Sequence, residues 1–397
     1  MRLSRAELKA YFERKQIEST LVGETLEALI FDITGLDPLH AYFLDELGGA
    51  IKVGIILGQG RFPLISREVG ALLLQRAVSF HTIEKGKGKF TFGFSAYGLE
   101  ERKALHSLGI SIKKSISAEG VKCRFVSSRE QTLSSVVVAK NRLVEKSGME
   151  AVFLKAPSSE IIYFGRTIAV QDFESYSLRD FGKPARNPRS GMLPPKCAQM
   201  MINLAQVQRS GSILDPFCGT GTILAEAYLM GYTNLWGSDI SDQAVSATRK
   251  NLEWLVSNKR IKKVNLKQVF VYDAAGISAK IKPQSISAIV TEPFLGPPLK
   301  GNESREKIQA IIYDISDLYL SALREFKKIL AKNGRLVMVW PVFHCNGERL
   351  FLPLSAQMSE LGFRRISFLA SASERTEFVY AREGQRLERE IWVFERI

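Results

Sequence analysis

The chain lacks the features that mark secreted, membrane-spanning and zinc-ribbon proteins. Its 397 residues include only four cysteines, and no two of them stand at a C-x-x-C spacing. So few scattered thiols predict neither a disulfide framework nor a metal site. No run approaches the roughly 18 apolar residues of a membrane helix. Charged side chains interrupt the first residues, where a signal peptide would have its apolar core. We therefore expect a cytoplasmic protein with no membrane partner, and no obligate protein partner can be inferred.

Positive charge is present in excess. Lysine and arginine number 55 against 41 acidic residues, which gives a formal net charge of +14. Residues 51–150 carry 17 basic and 8 acidic side chains, and residues 151–397 carry 33 and 24 over more than twice the length. The balance predicts a polyanionic partner, with nucleic acid favoured over an anionic membrane. We expect RNA phosphates to bind mainly to residues 51–150.

The pattern of apolar and turn-forming residues changes along the chain. Up to about residue 170, short strand and helix patterns alternate, as in small α+β layers; among them are a capped helix at Ser4–Tyr11 and two helices separated by Gly109. Residues 171–195 change character, and the stretch 186–195, which is rich in proline and basic side chains, is predicted to be a linker or a functional loop. From residue 191 a βαβα order predicts a parallel, doubly wound α/β sheet.

A glycine-containing loop follows the first strand of this α/β segment. The strand ends at Asp215, Gly219 and Gly221 follow, and a helix pattern begins near Thr222. Glycines allow a tight turn and close approach of the backbone to a ligand. The third glycine of a dinucleotide fingerprint is absent, because Leu224 stands in its place. The loop therefore predicts a site for a nucleotide-like but cationic ligand, with a plain strand–helix turn as the alternative.

Two later strand patterns also end in an acid. Asp239 follows the second strand, where a carboxylate can accept both hydroxyls of a ribose. Asp273 follows the third, within reach of an adenine amino group. Each acid alone is also typical of a helix N-cap. Together, at the carboxyl ends of consecutive parallel strands, they predict one ligand-binding crevice.

The residues Asp-Pro-Phe-Cys-Gly-Thr-Gly-Thr at 215–222 resemble the cofactor loop of class I S-adenosylmethionine-dependent methyltransferases that modify amino groups of nucleic acids. The preceding stretch, 190–205, narrows the resemblance to THUMP-containing tRNA guanosine N2-methyltransferases. This resemblance implies S-adenosylmethionine as cofactor and tRNA as partner. The cofactor-binding residues that it implies are Asp215, Phe217, Gly219, Gly221, Thr222, Asp239 and Asp273.

The resemblance also implies four regions. They are an N-terminal ferredoxin-like domain at 1–75, a THUMP-like RNA-binding domain at 76–170, a linker at 171–190 and a Rossmann-like methyltransferase domain at 191–397. The stretch 127–138, with its paired serines, is the most THUMP-like part of the chain.

In such enzymes the fourth strand ends in (Asp/Asn)-Pro-Pro-(Tyr/Phe), whereas this chain has Thr291-Glu292-Pro293-Phe294-Leu295. An exocyclic amine is a poor nucleophile because its lone pair is delocalised into the base. A side-chain oxygen and a backbone carbonyl accept its hydrogens, and a ring stacks on the base. We therefore predict Glu292, Pro293 and Phe294 as catalytic, with Phe294 supplying the ring from a displaced position.

The sequence thus predicts an enzyme that transfers methyl to the N2 amino group of guanosine in tRNA. Two alternatives stay open. One is an rRNA or DNA amino methyltransferase. The other is a catalytically inactive RNA-binding homologue, which the altered loop at Phe294 and Leu295 would suit. Cys218 is expected to pack inside the cofactor loop, because a nucleophilic cysteine for cytosine chemistry would belong on the fourth-strand loop.

Overall fold

The computed structural model describes most of the chain. The residues it describes are 2–34, 41–62, 64–157, 159–186, 192–259, 268–369, 378–381 and 387–397. They form two compact units. Unit 1 comprises Ile17–Asp45 and Ala50–Phe173, and unit 2 comprises Arg2–Gln16, Glu46–Gly49 and Glu174–Ile397. No helix among the described residues has the length and apolar character that a membrane span requires.

Unit 1 contains a five-stranded sheet with a two-stranded sheet beside it. In the larger sheet the order is β3-β7-β6-β4-β5; β4 runs parallel to β5 and β6, and the other pairs are antiparallel. The strands of unit 1 are β1 Ser19–Glu24, β2 Leu29–Ile33, β3 Lys52–Gly60, β4 Phe90–Tyr97, β5 Cys123–Val126, β6 Gly148–Lys155 and β7 Ile162–Val170. Its helices are α2 Leu64–Ile83, α3 Arg102–Ala118 and α4 Ser135–Lys140.

Glycine explains one error of the sequence analysis in unit 1. Gly109 was expected to separate two helices, but α3 continues through it. A Cβ at this position would lie 2.3 Å from the ring of Phe125, so the missing side chain makes room for an aromatic residue of β5. Gly109 therefore serves packing between helix and sheet rather than helix termination.

The division of the first 170 residues also differs from the expected one. The expected boundary between residues 75 and 76 falls inside α2. Strand β3, assigned to the first domain, pairs with β7 in the same sheet as the strands assigned to the second. The helix at Arg2–Lys15, α1, groups instead with unit 2. The second helix expected from about Pro38 begins outside the described residues, and a 3₁₀ helix is present at Ala41–Glu46.

Unit 2 is built around a mixed sheet. Its strand order is β10-β9-β8-β11-β12-β16-β14, with β13 paired to β12 and β15 paired to β16. The five neighbouring strands β10, β9, β8, β11 and β12 are parallel, as the βαβα pattern predicted, and β16 is antiparallel to β12. The strands are β8 Ser212–Asp215, β9 Asn234–Asp239, β10 Val269–Val271, β11 Ile286–Thr291, β12 Leu330–Cys345, β13 Glu348–Phe351, β14 Phe363–Arg365, β15 Val379–Tyr380 and β16 Leu387–Arg396.

Helices cover the two faces of this sheet, with one apolar core packed on each face. The helices of unit 2 are α1 Arg2–Lys15, α5 Phe173–Phe181, α6 Pro195–Leu204, α7 Thr222–Leu229, α8 Asp242–Lys259, α9 Arg305–Ile329 and α10 Ser355–Glu360. Helix α5 lies in the stretch expected to be a linker or loop. It is amphipathic, and its Tyr176 is buried. The N-terminal part of the strand expected at 264–271 lies outside the described residues, as does 187–191 of the basic stretch.

Helix α1 is tied to unit 2 by buried polar contacts. The carboxylate of Glu7 accepts hydrogen bonds from the backbone N–H groups of Gly48 and Gly49 and from the side-chain amide of Asn203, each at 2.8 Å. Arg14 donates to the hydroxyl of Tyr232 at 2.6 Å. Burial raises the pKa of Glu7 to about 7, although its three donors favour the charged form. The folded unit 2 therefore includes a helix separated from it in sequence by most of unit 1.

Candidate active site

The carboxyl ends of the parallel strands in unit 2 border a cavity of about 1720 Å³. Strands β8, β9, β10 and β11 end along one edge of the sheet, because parallel neighbours point the same way. Nine of the ten predicted site residues line this cavity, namely Asp215, Phe217, Gly219, Thr222, Asp239, Asp273, Glu292, Pro293 and Phe294. The structure therefore brings the cofactor motif and the fourth-strand motif into one place.

Asp215 ends β8 and is buried. Its Oδ1 accepts a hydrogen bond from the Thr291 hydroxyl at 2.7 Å and from the backbone N–H of Phe217 at 3.2 Å. Burial is the main cause that raises the pKa of Asp215 to about 7, and the nearby carboxylates of Asp239 and Glu292 act in the same direction. The bond to Thr291 joins the ends of β8 and β11, so this acid helps to fix both loops.

The two glycines of the cofactor loop have different roles. Gly219 has a positive φ of 52°, and the nearest atom to a Cβ there would be the Phe217 carbonyl oxygen at 3.9 Å, so its backbone faces open space in the cavity. Gly221, also predicted as cofactor-binding, does not line the cavity. It has φ of 80°, and a Cβ would lie 2.8 Å from Thr248. Gly219 thus leaves room for a ligand, and Gly221 allows the turn and the approach of α8.

Asp239 and Asp273 lie at the ends of β9 and β10. Asp239 accepts hydrogen bonds from the backbone N–H groups of Gly219 and Ser241, both at 3.0 Å, so it also holds the cofactor loop in place. Asp273 accepts from the N–H of Ala275 and caps the 3₁₀ helix Ala274–Ala279. Asp273 therefore caps a helix, as one of the two interpretations of its sequence position predicted, and it also lines the cavity.

The β11 loop presents a carboxylate and an exposed ring. Phe294 is 55% exposed although it is a large aromatic residue, and it lines the cavity. Leu295 instead packs against a core cluster, so Phe294 provides the aromatic surface of this loop. The hydroxyl of Tyr319, fully buried on α9, donates to the Phe294 carbonyl oxygen at 3.0 Å. Glu292 is largely buried, and its Oε1 lies 2.5 Å from Nε of Arg389 on β16.

Three polar side chains near this cavity were missed by the sequence analysis. Lys183 donates to the hydroxyls of Thr220 and Thr222 at 3.3 and 3.0 Å. Arg389 pairs with Glu292, and Tyr319 holds the β11 loop. Lys183 lies in the supposed linker, Arg389 lies 97 positions after Glu292, and Tyr319 falls on a regular apolar helix face. No local pattern marks any of them, so only the fold could have found them.

Cys218 packs within the cofactor loop, as expected. Its backbone N–H donates to Ser238, and its Sγ lies 3.6 Å from the Thr248 hydroxyl. Burial raises the pKa of its thiol well above the usual range, which leaves too little thiolate for a nucleophilic role. Among the described residues, no group of three or more His, Cys, Asp and Glu side chains is placed to hold a metal ion.

The chain is similar to known methyltransferases. The family model described as "UPF0020: RMKL-like, methyltransferase domain" matches residues 185–348. The fold resembles the crystal structure of a possible methylase from Clostridium difficile 630, with a TM-score of 0.50, 11% identity, and coverage of 98% of this chain and 95% of that one. The sheet, the glycine loop and the acids at the strand ends define the class as the S-adenosylmethionine-dependent methyltransferases with a Rossmann-like fold.

Three curated relatives narrow the class. A tRNA (guanine(10)-N2)-dimethyltransferase from Pyrococcus abyssi is 30% identical over 50% of this chain and 55% of its own length. One from Methanothermobacter thermautotrophicus is 26% identical over 73% of this chain and 89% of its own length. A probable one from Methanothermococcus thermolithotrophicus is 31% identical over 36% of this chain and 77% of its own length. The chain belongs to the family of these tRNA guanine-N2 methyltransferases, although the match spans only about half of the Pyrococcus relative.

Proposed function

We propose that this chain transfers a methyl group from S-adenosylmethionine to the N2 amino group of a guanosine in tRNA. The observation that carries the proposal is the cavity, where a buried carboxylate and an exposed ring on the β11 loop lie beside the acids at the ends of β8, β9 and β10. A cofactor fits the open backbone at Gly219, where a side chain would fill the space. S-adenosylmethionine would supply an electrophilic methyl group bound to a sulfonium. The leaving group would be the neutral thioether S-adenosylhomocysteine.

The residues of the β11 loop would prepare the amine. Glu292 accepts one hydrogen of N2 and the Pro293 carbonyl accepts the other, which returns electron density to the nitrogen. Phe294 stacks on the base and aligns N2 with the methyl carbon. The N2 lone pair would form the bond to the methyl carbon that S-adenosylmethionine supplies, and the electron pair of the broken C–S bond would remain on sulfur. The extra proton on N2 then passes to water or to the Glu292 carboxylate.

The charge distribution supports tRNA as the substrate. Lys113 and Lys114 on α3, and Lys85, Lys87 and Lys89 between α2 and β4, are exposed in unit 1. Exposed lysines gain affinity for phosphates additively, through release of counterions. We further propose that unit 1, which contains the THUMP-like stretch within residues 76–170, binds the RNA, and that the protein works in the cytoplasm.

A methyl-transfer assay with tritiated S-adenosylmethionine tests the proposal on tRNA that lacks base modifications. The expected product, after digestion to nucleosides, is N2-methylguanosine or N2,N2-dimethylguanosine by mass spectrometry. Methylated adenosine, or activity confined to rRNA or DNA, would replace the proposed substrate. Cofactor and tRNA binding without methyl transfer would instead favour an inactive homologue, which the altered loop at Phe294 and Leu295 makes the main competitor.

A further inference from the structure

The proposed catalytic carboxylate, that of Glu292, forms an ion pair with Arg389 in the wall of the cavity. Glu292 follows β11, and Arg389 lies on β16, two strands away in the same sheet. The Glu292 and Arg389 side chains are 14% and 8% exposed, and both residues line the cavity. Arg389 stands opposite Pro341 of β12 and Tyr380 of β15, so its position is set by the sheet register. Because the sheet sets the position of the Arg389 guanidinium, the ion pair fixes the position of one carboxylate oxygen of Glu292.

We propose that Arg389 is a specificity-determining positioning residue: through its ion pair it holds Glu292 as an oriented, acceptor-only carboxylate, which selects a base that offers two adjacent N–H donors. The inference deepens the proposed function and rests on it. Arg389 acts through Glu292 and need not touch the base. The structure assigns this role to Arg389 because its Nε donates to Oε1 of Glu292 at 2.5 Å.

The chemistry of the bases gives this pair its selectivity. On its Watson–Crick edge guanine presents N1–H and N2–H side by side, and an ionised carboxylate can only accept hydrogen bonds. 2-Aminopurine keeps the N2 amine but has a lone pair at N1, which a carboxylate repels. A protonated Glu292 could instead donate to that lone pair. The charge state of Glu292 therefore decides whether the cavity distinguishes the two bases.

The surroundings of Glu292 would neutralise it without the arginine. Burial raises the pKa of Glu292, and the Arg389 guanidinium opposes that rise. Within the part of the chain that the structure describes, the other ionisable groups that interact with Glu292 are Asp215 at the end of β8, Cys197 on α6 and Tyr319 on α9. When ionised, each of these carries negative charge, so none of them can replace the arginine. Removing Arg389 should raise the pKa of Glu292 further and favour the neutral acid.

The first test compares Arg389→Met with the unsubstituted parent chain over pH from about 5.5 to about 9. The variant should lose about tenfold or more in kcat/KM near neutral pH, and the acid limb of its profile should move to higher pH. The affinity for S-adenosylmethionine should stay the same. Arg364→Met is the matched control, because Arg364 lies on the neighbouring strand β14, is exposed, and pairs with Glu395 of β16. Its pH profile should match that of the parent. An unshifted acid limb in folded Arg389→Met overturns the proposal.

A second comparison separates positioning from a general structural role. In a Glu292→Gln background, Arg389→Met should cause little further loss, because the arginine acts through the acid. Full additivity of the two losses would contradict the proposal. If Arg389→Met does not fold, Arg389→Lys keeps the charge without the planar guanidinium. Its thermal midpoint should be near that of the parent, and the acid limb of its pH profile should lie at higher pH than the parent's. An unchanged profile together with unchanged base selectivity would count against the proposal.

The closing experiment reads base selection directly. A tRNA carrying 2-aminopurine at the methylated guanosine is compared with the unmodified tRNA, both for binding with S-adenosylhomocysteine present and for methyl transfer. The parent should prefer guanosine about tenfold or more, and Arg389→Met should reduce that preference. Equal preference in parent and variant, with guanosine methylated normally, overturns the role of Arg389 alone. No methylation and no preference for guanosine by the parent overturn the proposed function and this inference together.

Discussion

The loops after β8 and β11 border the same cavity but are held in place differently. The loop after β8 is held by bonds within itself and to the next strand, in addition to the contacts of Asp215 with Thr291 and of Thr220 with Lys183: Gly221 donates to the Cys218 carbonyl at 2.7 Å, and Cys218 donates to Ser238. The loop after β11 depends on Tyr319 and Arg389, which lie 25 and 97 positions along the chain from their partners. A loop that is held mainly by bonds between nearby residues can be recognised from its local sequence. A loop that is held by distant side chains can change its local sequence and keep its position.

The largest expected effect falls on the β11 loop. Glu292→Ala removes the proposed acceptor for the N2 hydrogens and should lower methyl transfer by about a hundredfold or more, as for other preorganised electrostatic groups. Cofactor affinity should change little, because the hydrogen bonds that hold the β8 loop do not involve Glu292. Single-turnover kinetics and calorimetry measure the two quantities. Normal turnover in Glu292→Ala would remove the catalytic role, and a large loss of cofactor affinity would show that the two loops are not separable.

The next effect falls on the β8 side. Asp239→Ala removes the proposed ribose acceptor and the acceptor for the Gly219 N–H, and should weaken cofactor binding by about tenfold or more. Asp273→Ala should weaken cofactor binding less than Asp239→Ala does, since the hydrogen bond that Asp273 accepts from Ala275 caps a 3₁₀ helix and does not hold the cofactor loop. Calorimetry with S-adenosylmethionine checks both variants. Unchanged affinity in both would contradict the assignment of the site.

Asp215 should make stability depend on pH. Its pKa is 3.8 in its ordinary state and about 7 in the folded chain, so between these values the folded state binds more protons than the unfolded state. Its contribution to the free energy of unfolding is present below about pH 4 and is lost as pH rises through about 7. Asp215→Asn, which keeps an oxygen for Thr291, should flatten this part of the curve in urea titrations. Glu7 should leave a residual slope of the same sign, and an unchanged slope in the variant would refute the raised pKa.

The smallest effect tests the distant support of the β11 loop. Tyr319→Phe removes one hydrogen bond, worth about 0.5–1.5 kcal/mol, and leaves the ring in the core. We expect methyl transfer to fall a fewfold, with unchanged cofactor affinity and a slightly lower thermal midpoint. A drop in cofactor affinity instead would mean that Tyr319 acts on the whole cavity rather than on Phe294.

The part of the fold and site that local sequence determines was predictable. The parallel order of β8 to β12 followed from βαβα periodicity, and Gly219, Asp239 and Asp273 followed from their places at strand ends. Gly109 was misinterpreted because a glycine that stops a helix and one that admits a ring look alike in sequence. Arg389 could not be found, since its pairing with Glu292 exists only after β16 enters the sheet. The assignment of α1 to unit 2 likewise depends on Asn203, far along the chain.

The contact between Glu7 and Asn203 also has a consequence for the order of events during synthesis. The two residues are 196 positions apart, and at about 5–20 residues per second a ribosome needs about 10–40 s to add that length. Through this interval Glu7 is hydrated and fully ionised, and the apolar face of α1 with Leu3, Ala6 and Ala10 has no α6 to cover it. The sequence of unit 1 is therefore synthesised completely before α1 can pack against α6. Helix α1 packs into unit 2 only after α6 has been made.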